Sequence, residues 1–523
     1  MSTVGQALVA GLAARGVDCV FGIPGVHTIE LYRGLAGSGI RHVTPRHEQA
    51  AGFMADGYAR ATGRPGVALV ITGPGVTNAL TALAQARADS VPVLLVSGVN
   101  ARASIGQGLG FLHEMPDQAG MVRSLCPTFR VTEPAALGRC LAQAWAAMTE
   151  GRPGPAHLEI PLDVMGLSSE PEVLRELPCP RPVDPAGLDR VAAGLALARR
   201  PVILAGGGAA RAEPGLRALA EALDAPVILT SNARGLLAGH PLSVPFSPSL
   251  APVRDLIRTA DGGVVAGSEL GPTDCDMYAV GGFPDVAHLV RVDVCAAQVA
   301  RHPCRAGLVG DAAAVLAGLA ARVPARTGDG AARAAEARAA ARAALPALHP
   351  AFPAQLALLE AMRDACPDAR IVGDSTQPVY AGNLGFQAGA PGGWFNAATG
   401  FGALGYGVPA ANGAAIGDPG RPVICLVGDG GLQFSVAELR TAADEALDVT
   451  FVVWNNAGYR EIAEAMQAAG AAPIGCDPTP LRLEPLAAAC GVGFASVPAE
   501  PEALAAALRA PRRGPRLIEV CAG

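Results

Sequence analysis

At 523 residues the chain is too long for one hydrophobic core, and a prior of roughly 100 to 200 residues per domain predicts about three domains. Half of its residues are hydrophobic and 16% are charged, which excludes a disordered chain and allows a large buried fraction. A net charge of -6 offers no basic face to a polyanion, so nucleic acid is not an expected partner.

In chain order, MSTVGQALVAGLAARGVDCVF lacks a basic region ahead of its apolar residues and has the spacing of an amphipathic helix rather than a signal peptide. No run reaches about 18 apolar residues, which predicts a soluble, cytoplasmic chain with no membrane partner. From 18 to about 165, VALVIT at 67–72, PVLLVSG at 92–98 and HLEIPL at 157–162 alternate with helical stretches, as in a parallel sheet wrapped by helices. A Glu- and Pro-rich stretch at 168–186 reads as an exposed connector. A second α/β unit starts at PVILAGGGAAR, runs through HLVRVDV at 288–294 and ends near 323. Residues 327–345, rich in Ala and Arg, predict a linker helix. The third unit has IVGD, VICLVGDGG, VTFVVWNN and RLIEV as its strands. The expected fold class is α/β, with three doubly wound parallel-sheet domains at 1–167, 186–323 and 350–523. The sequence stops at Gly523 just past the last of these strands, so no C-terminal lid is expected. Its twelve cysteines form no C-x-x-C pair or zinc spacing and read as buried, reduced thiols.

The strongest chemical signal is GDG at 428–430, followed by Asn455 and Asn456. If VICLV and VTFVVW are adjacent parallel strands, Asp429 and Asn456 lie at their carboxyl ends, where open α/β sheets bind ligands. One carboxylate and one amide suit Mg²⁺, which prefers hard oxygen ligands and completes its shell with phosphate and water. Gly428, Gly430 and Gly431 let backbone amides approach a phosphate. A lone GDG would be an ordinary strand-to-helix turn; the spacing and the strand context favour the metal.

With these motifs the sequence resembles the thiamine-diphosphate enzymes. The resemblance implies a pyrimidine-binding N-terminal domain, a middle domain and a diphosphate-binding C-terminal domain, with thiamine diphosphate and Mg²⁺ as cofactors. It assigns the metal to Asp429, Asn456 and the Gly458 carbonyl. Glu48, in RHEQAAGFMADGYAR, takes the place of the carboxyl that hydrogen-bonds the cofactor's pyrimidine ring and handles its proton. FGALGYGVPAANGA at 401–414 is similar to the segment beneath the bent cofactor, with Gly402 in it and Leu404 as the apolar wedge. GDSTQP at 373–378 supplies Ser375, Thr376 and Gln377 as diphosphate contacts. GIPGVH at 22–27 and ITGPGVTNAL at 71–80 add His27, Thr72 and Asn78, and GFLHEMPDQ at 110–118 adds His113. A lone histidine is more often structural than catalytic; membership of matched loops makes these two candidates.

GGGAAR lacks the acidic residue that a dinucleotide fold places downstream, and the flavin-holding segment of acetolactate synthases is missing, so FAD is not expected. GSELGPTDCDMY at 267–278 and NNAGYREI leading to PIGCDPTP at 473–480 resemble the 5-guanidino-2-oxopentanoate decarboxylases. That implies a small 2-oxo acid with a cationic tail, for which Glu461, Glu464 and Asp477 are acidic candidates, although such residues are often solvated helix charges. After loss of carbon dioxide, protonation makes a decarboxylase and attack on a second carbonyl compound makes a carboligase; both stay open, as does a non-catalytic cofactor-binding paralogue. The family also implies a homodimer or homotetramer, with small residues on the outer-domain helices available for close subunit contact.

Overall fold

The computed structural model describes residues 2–169, 183–276 and 281–522. Most of the connector expected at 168–186, and residues 277 and 278 of the 267–278 stretch, lie outside them.

Three six-stranded sheets, each parallel throughout, occupy 19–161, 201–309 and 370–521. Their central strands, such as Gly66–Val70, Val93–Val99, Pro201–Ala205 and Val423–Gly428, are buried on both faces, which is why they read as unbroken apolar runs rather than alternating ones. The two outer sheets share one strand order. Numbering strands along each domain, both run 2-1-3-4-6-5, while the middle sheet runs 3-2-1-4-5-6, the order of dinucleotide-binding folds. Each outer sheet reverses direction between its first and third strands. Those pairs are Cys19–Gly22 with Gly66–Val70, and Arg370–Gly373 with Val423–Gly428. The loops leaving these strands carry His27 and Thr72 in one domain and 374–377 and Asp429 in the other, so both candidate loop sets sit at a topological switch point.

The two outer domains of the chain pack on each other through helices Glu48–Thr62 and Gly407–Gly417. A Cβ at Gly57 would lie 2.0 Å from the Ala410 carbonyl oxygen, and one at Gly413 2.0 Å from that of Met54, so the two backbones touch at reciprocal glycines. At these positions the small residues close the chain on itself. A buried cluster reinforces the joint. The Arg60 guanidinium holds Asp56 at 2.7 Å and Asp89 at 2.8 Å, and the Tyr406 hydroxyl donates to Asp56 at 2.5 Å.

In the middle domain the glycine run has a packing reason. A Cβ at Gly206 would lie 2.4 Å from the Gly267 carbonyl oxygen, and one at Gly208 2.8 Å from the Gly267 Cα. The predicted linker helix spans Gly330–Leu348. Among the described residues, no helix is long and apolar enough to cross a membrane, and every cysteine is free.

Candidate active site

The C-terminal half of the site forms where strands Val423–Gly428 and Val449–Asn455 end side by side, with Gly428 paired to Trp454. Asp429 opens the next helical turn and is buried; burial raises its carboxyl pKa. Asn456 follows the neighbouring strand, and the chain then turns through Ala457 at φ +57° and Gly458 at φ +149°. Arg460 braces this strained turn by donating to the carbonyls of Asn456 at 3.0 Å and Ala457 at 2.8 Å. The Asn456 side-chain amide lies 2.9 Å from the Gly458 carbonyl oxygen and 3.3 Å from Asp429 Oδ1. Its nitrogen turned to them would donate to both, whereas its oxygen turned to them leaves the nitrogen to donate to Gln377 Oε1 at 3.2 Å. Gln377 is held in that orientation by its amide nitrogen, which donates to Glu464 at 3.4 Å. Three converging oxygens, one of them anionic, fit a hard divalent cation such as Mg²⁺.

The glycines of this turn are fixed by neighbours as well as by access. A Cβ at Gly430 would lie 2.4 Å from the Tyr459 ring, one at Gly428 3.0 Å from Thr376 Oγ1, and one at Gly431 3.2 Å from Asp374 Oδ1. Asp374, a residue missed in the sequence reading although it lies inside GDSTQP, is fully buried and ties the loops together. It accepts from the backbone amides of Ser375 and Gly407, both at 2.8 Å, and burial lifts its pKa to about 6. Helix Gln377–Gly385 begins at this junction. Leu404 is half-buried in a turn between Gly402 and Gly405, both at φ +76°. A Cβ on Gly402 would meet no atom within 4 Å, so open space adjoins the wedge. Gln85 of the N-terminal domain accepts from the Ala403 amide at 3.2 Å; a polar residue in an apolar helix was its only sequence signal.

The N-terminal half gathers the other candidates. Glu48 starts its helix, and its carboxylate accepts from the Asn78 amide at 2.9 Å. The rings of His27 and His113 meet edge to face with centroids 5.0 Å apart. Burial, and secondarily the neighbouring His113, lower the pKa of His27. His27 Nδ1 and Thr72 Oγ1 are buried without a protein partner, as expected of groups that serve a bound molecule. Gln118, also missed although it ends GFLHEMPDQ, accepts from the Gly73 amide and donates to the Gly98 carbonyl, both at 2.9 Å. It thereby fixes the loops on either side of Thr72.

At the rim the three acidic candidates separate. Asp477 is largely exposed and already paired to Arg460 at 2.6 Å, so it is not a free partner for a cation. Glu464 faces His349 at 3.1 Å. Glu461 retains exposed surface, yet burial of its carboxyl raises its pKa; a hydrogen bond to Gln377 opposes the rise and Glu464 adds to it. Gln377, expected as a diphosphate contact, bridges here from Asn456 at 3.2 Å to this acidic pair.

Paired pyrimidine-side and diphosphate-side loops on two sheets of one topology define a thiamine-diphosphate-binding enzyme. The sequence matches the N-terminal TPP binding domain of thiamine pyrophosphate enzymes over residues 2–121, their central domain over 188–319 and their C-terminal TPP binding domain over 374–520. A protein of Pseudomonas aeruginosa named "Probable 2-ketoarginine decarboxylase" is 43% identical, over 91% of this chain and 86% of its own. Acetolactate synthase isozyme 1 large subunit of Escherichia coli is 30% identical over 87% of this chain and 82% of its own, and acetolactate synthase of Mycobacterium bovis 32% identical over 87% and 76%. The chain belongs to the thiamine pyrophosphate enzyme family.

Proposed function

We propose that this enzyme decarboxylates 5-guanidino-2-oxopentanoate, also called 2-ketoarginine, with thiamine diphosphate held through Mg²⁺. The observation that carries the substrate is the acidic pair Glu461 and Glu464, linked through Gln377 to Asn456 at the metal turn. Likeness to the Pseudomonas aeruginosa protein supports it.

Bound, thiamine diphosphate supplies the nucleophilic carbon and the electron sink for loss of carbon dioxide. In this reading Asp429, Asn456 and the Gly458 carbonyl hold Mg²⁺. Ser375, Thr376 and the backbone at Gly428, Gly430 and Gly431 receive the diphosphate, and Leu404 beside Gly402 supports the cofactor's bend. Glu48, steadied by Asn78, handles the pyrimidine proton. Thr72 and His27 offer hydrogen bonds inside the N-terminal half. With its pKa held down, His27 is neutral at pH 7, and beside the His113 ring it would orient bound substrate by hydrogen bonding rather than act as an acid. Glu461 pairs the guanidinium, since Asp477 is taken by Arg460. The domain limits 1–167, 186–323 and 350–523, a cytoplasmic location and a homodimeric or larger assembly belong to the same proposal. Intact Glu48, Asp429 and Asn456 argue against a non-catalytic paralogue.

Carbon dioxide release from a panel of 2-oxo acids, with products identified by mass spectrometry, tests this. The expected result is higher kcat/KM for 5-guanidino-2-oxopentanoate than for pyruvate and an aldehyde product. Glu461→Gln should cost about 2 kcal/mol in kcat/KM on the guanidino substrate, at the low end for a charge pair because the rim is partly solvated, and little on pyruvate. A pyruvate preference with a joined product would instead support the carboligase reading, which the acetolactate synthase relatives favour.

A further inference from the structure

We propose that Glu438 is the positioning residue for Glu48, an inference that rests on the proton-handling role proposed for Glu48. Glu438 heads helix Glu438–Asp444 in the C-terminal domain and is 1% exposed. One carboxylate oxygen crosses to the N-terminal domain, where Oε1 accepts from the backbone amide of Arg46 at 2.8 Å. Burial raises the carboxyl pKa, and hydrogen bonds from Thr441, the Arg46 amide and the His47 amide oppose that rise. Its second oxygen accepts from the Thr441 hydroxyl at 2.7 Å, which fixes the rotamer.

These are the two residues before Glu48. His47 is the N-cap of the Glu48 helix, in extended conformation, with its ring Nδ1 accepting from the Gln49 amide at 3.1 Å. A helix start is set by whatever satisfies the amides around its cap, and a buried carboxylate is a strong acceptor for them. The Arg46 side chain doubles the latch by reaching Thr441 at 3.4 Å and pairing with Asp444, and Arg41 pairs with Glu445 at 2.6 Å. Glu438 is itself anchored, because Asn412 donates to its carbonyl at 2.9 Å. Two clamps therefore define where the Glu48 carboxylate sits: Asn78 holds its oxygen, and Glu438 holds the backbone from which it projects. Glu438 does not touch the place where chemistry occurs; it sets the register of the group that does.

The test uses Glu438→Ala and Glu438→Gln in the full chain, with Glu48→Gln as comparator. Three quantities are read: amide hydrogen exchange at 44–48 without cofactor, hydrogen–deuterium exchange at C2 of bound thiamine diphosphate with Mg²⁺, and affinity for that cofactor by calorimetry. In Glu438→Ala the amides of Arg46 and His47 should lose protection. C2 exchange should slow by about 100-fold, the scale of a misplacement of about 1 Å, while cofactor affinity stays within about threefold. Glu438→Gln keeps a carbonyl acceptor and should restore C2 exchange to within about fivefold of the wild type. Wild-type C2 exchange or unchanged amide protection in the alanine variant overturns the proposal, as does a loss confined to cofactor affinity. If Glu48→Gln itself exchanges C2 at the wild-type rate, the role assigned to Glu48 fails, a separate result. Should the alanine variant not fold, Glu438→Asp retracts the acceptor by one C–C bond, about 1.5 Å, and should slow exchange by about tenfold; wild-type exchange there also overturns the proposal.

Discussion

The Asn456 amide lies 3.3 Å from Asp429 Oδ1 and 2.9 Å from the Gly458 carbonyl oxygen, and with its oxygen turned to them the set attracts a cation. Removing the Asp429 carboxylate takes away the only full negative charge of that set and leaves a diphosphate uncompensated. Asp429→Ala should therefore weaken binding of thiamine diphosphate with Mg²⁺ by at least about 100-fold, close to 2.7 kcal/mol. Titration calorimetry at fixed Mg²⁺ checks this, and unchanged affinity would leave the GDG turn a purely structural device. The residues of this turn were legible because glycine and carboxylate types at a fixed spacing after two buried strands leave few alternatives. Asp374, Gln118 and Glu438 were not. Each acts through backbone amides of distant loops, and such partners leave no mark on the local sequence. Asp477 shows the opposite failure: its type suited a cation, but only the fold reveals that Arg460 has already claimed it.

Among elements, the buried central strands announced themselves as continuous apolar runs, whereas the edge strands Arg41–Val43, Thr128–Arg130 and Gly493–Pro498 did not. Edge strands are partly solvated, so their composition is mixed and no single period dominates. Strand Ala156–Pro161 was recognised, but it buries two ionisable side chains that apolar runs rarely carry. His157 Nε2 meets the Ser97 hydroxyl at 2.8 Å, and Glu159 meets Gln118 at 3.1 Å and Arg130 at 2.5 Å, beneath the loops that carry Thr72. Burial, with a smaller contribution from Arg130, lowers the His157 pKa to about 3, below the 6.5 of an exposed imidazole. Between those values the unfolded chain takes up a proton that the folded chain refuses. This contribution to stability is complete above about pH 6.5 and falls as pH drops towards 3, by at most about 1.4 kcal/mol per unit. His157→Gln should be less stable than the wild type at pH 7, and the gap should narrow towards pH 4, as followed by thermal unfolding. A gap that stays constant with pH would mean that His157 does not carry the titration.

At the scale of the molecule, both halves of the site are assembled in one chain, yet the carboxylate of Glu48 bonds to Asn78 within its own domain and makes no hydrogen bond to the metal turn. Among the described residues, several large apolar side chains stay exposed in or near the loops carrying the chemistry. Val26, Leu109, Phe111 and Leu112 adjoin His27 and His113 in sequence, while Phe434, Ile462 and Ile474 follow Asp429 and Asn456; Leu112 is 67% and Ile474 82% exposed. Large apolar side chains gathered at such loops favour burial against another protein surface. A second copy, placing the Glu48 half of one chain over the Asp429 half of the other, would cover both sets together. The enzyme is accordingly expected to be at least a dimer at working concentrations. Ile474→Asp, which puts a charge into that surface and lies outside the residues assigned to cofactor or metal, should shift the population towards monomer and lower activity in proportion. Light scattering and turnover measured on the same samples decide the matter, and a wild-type monomer with full turnover would rule out a site shared between chains.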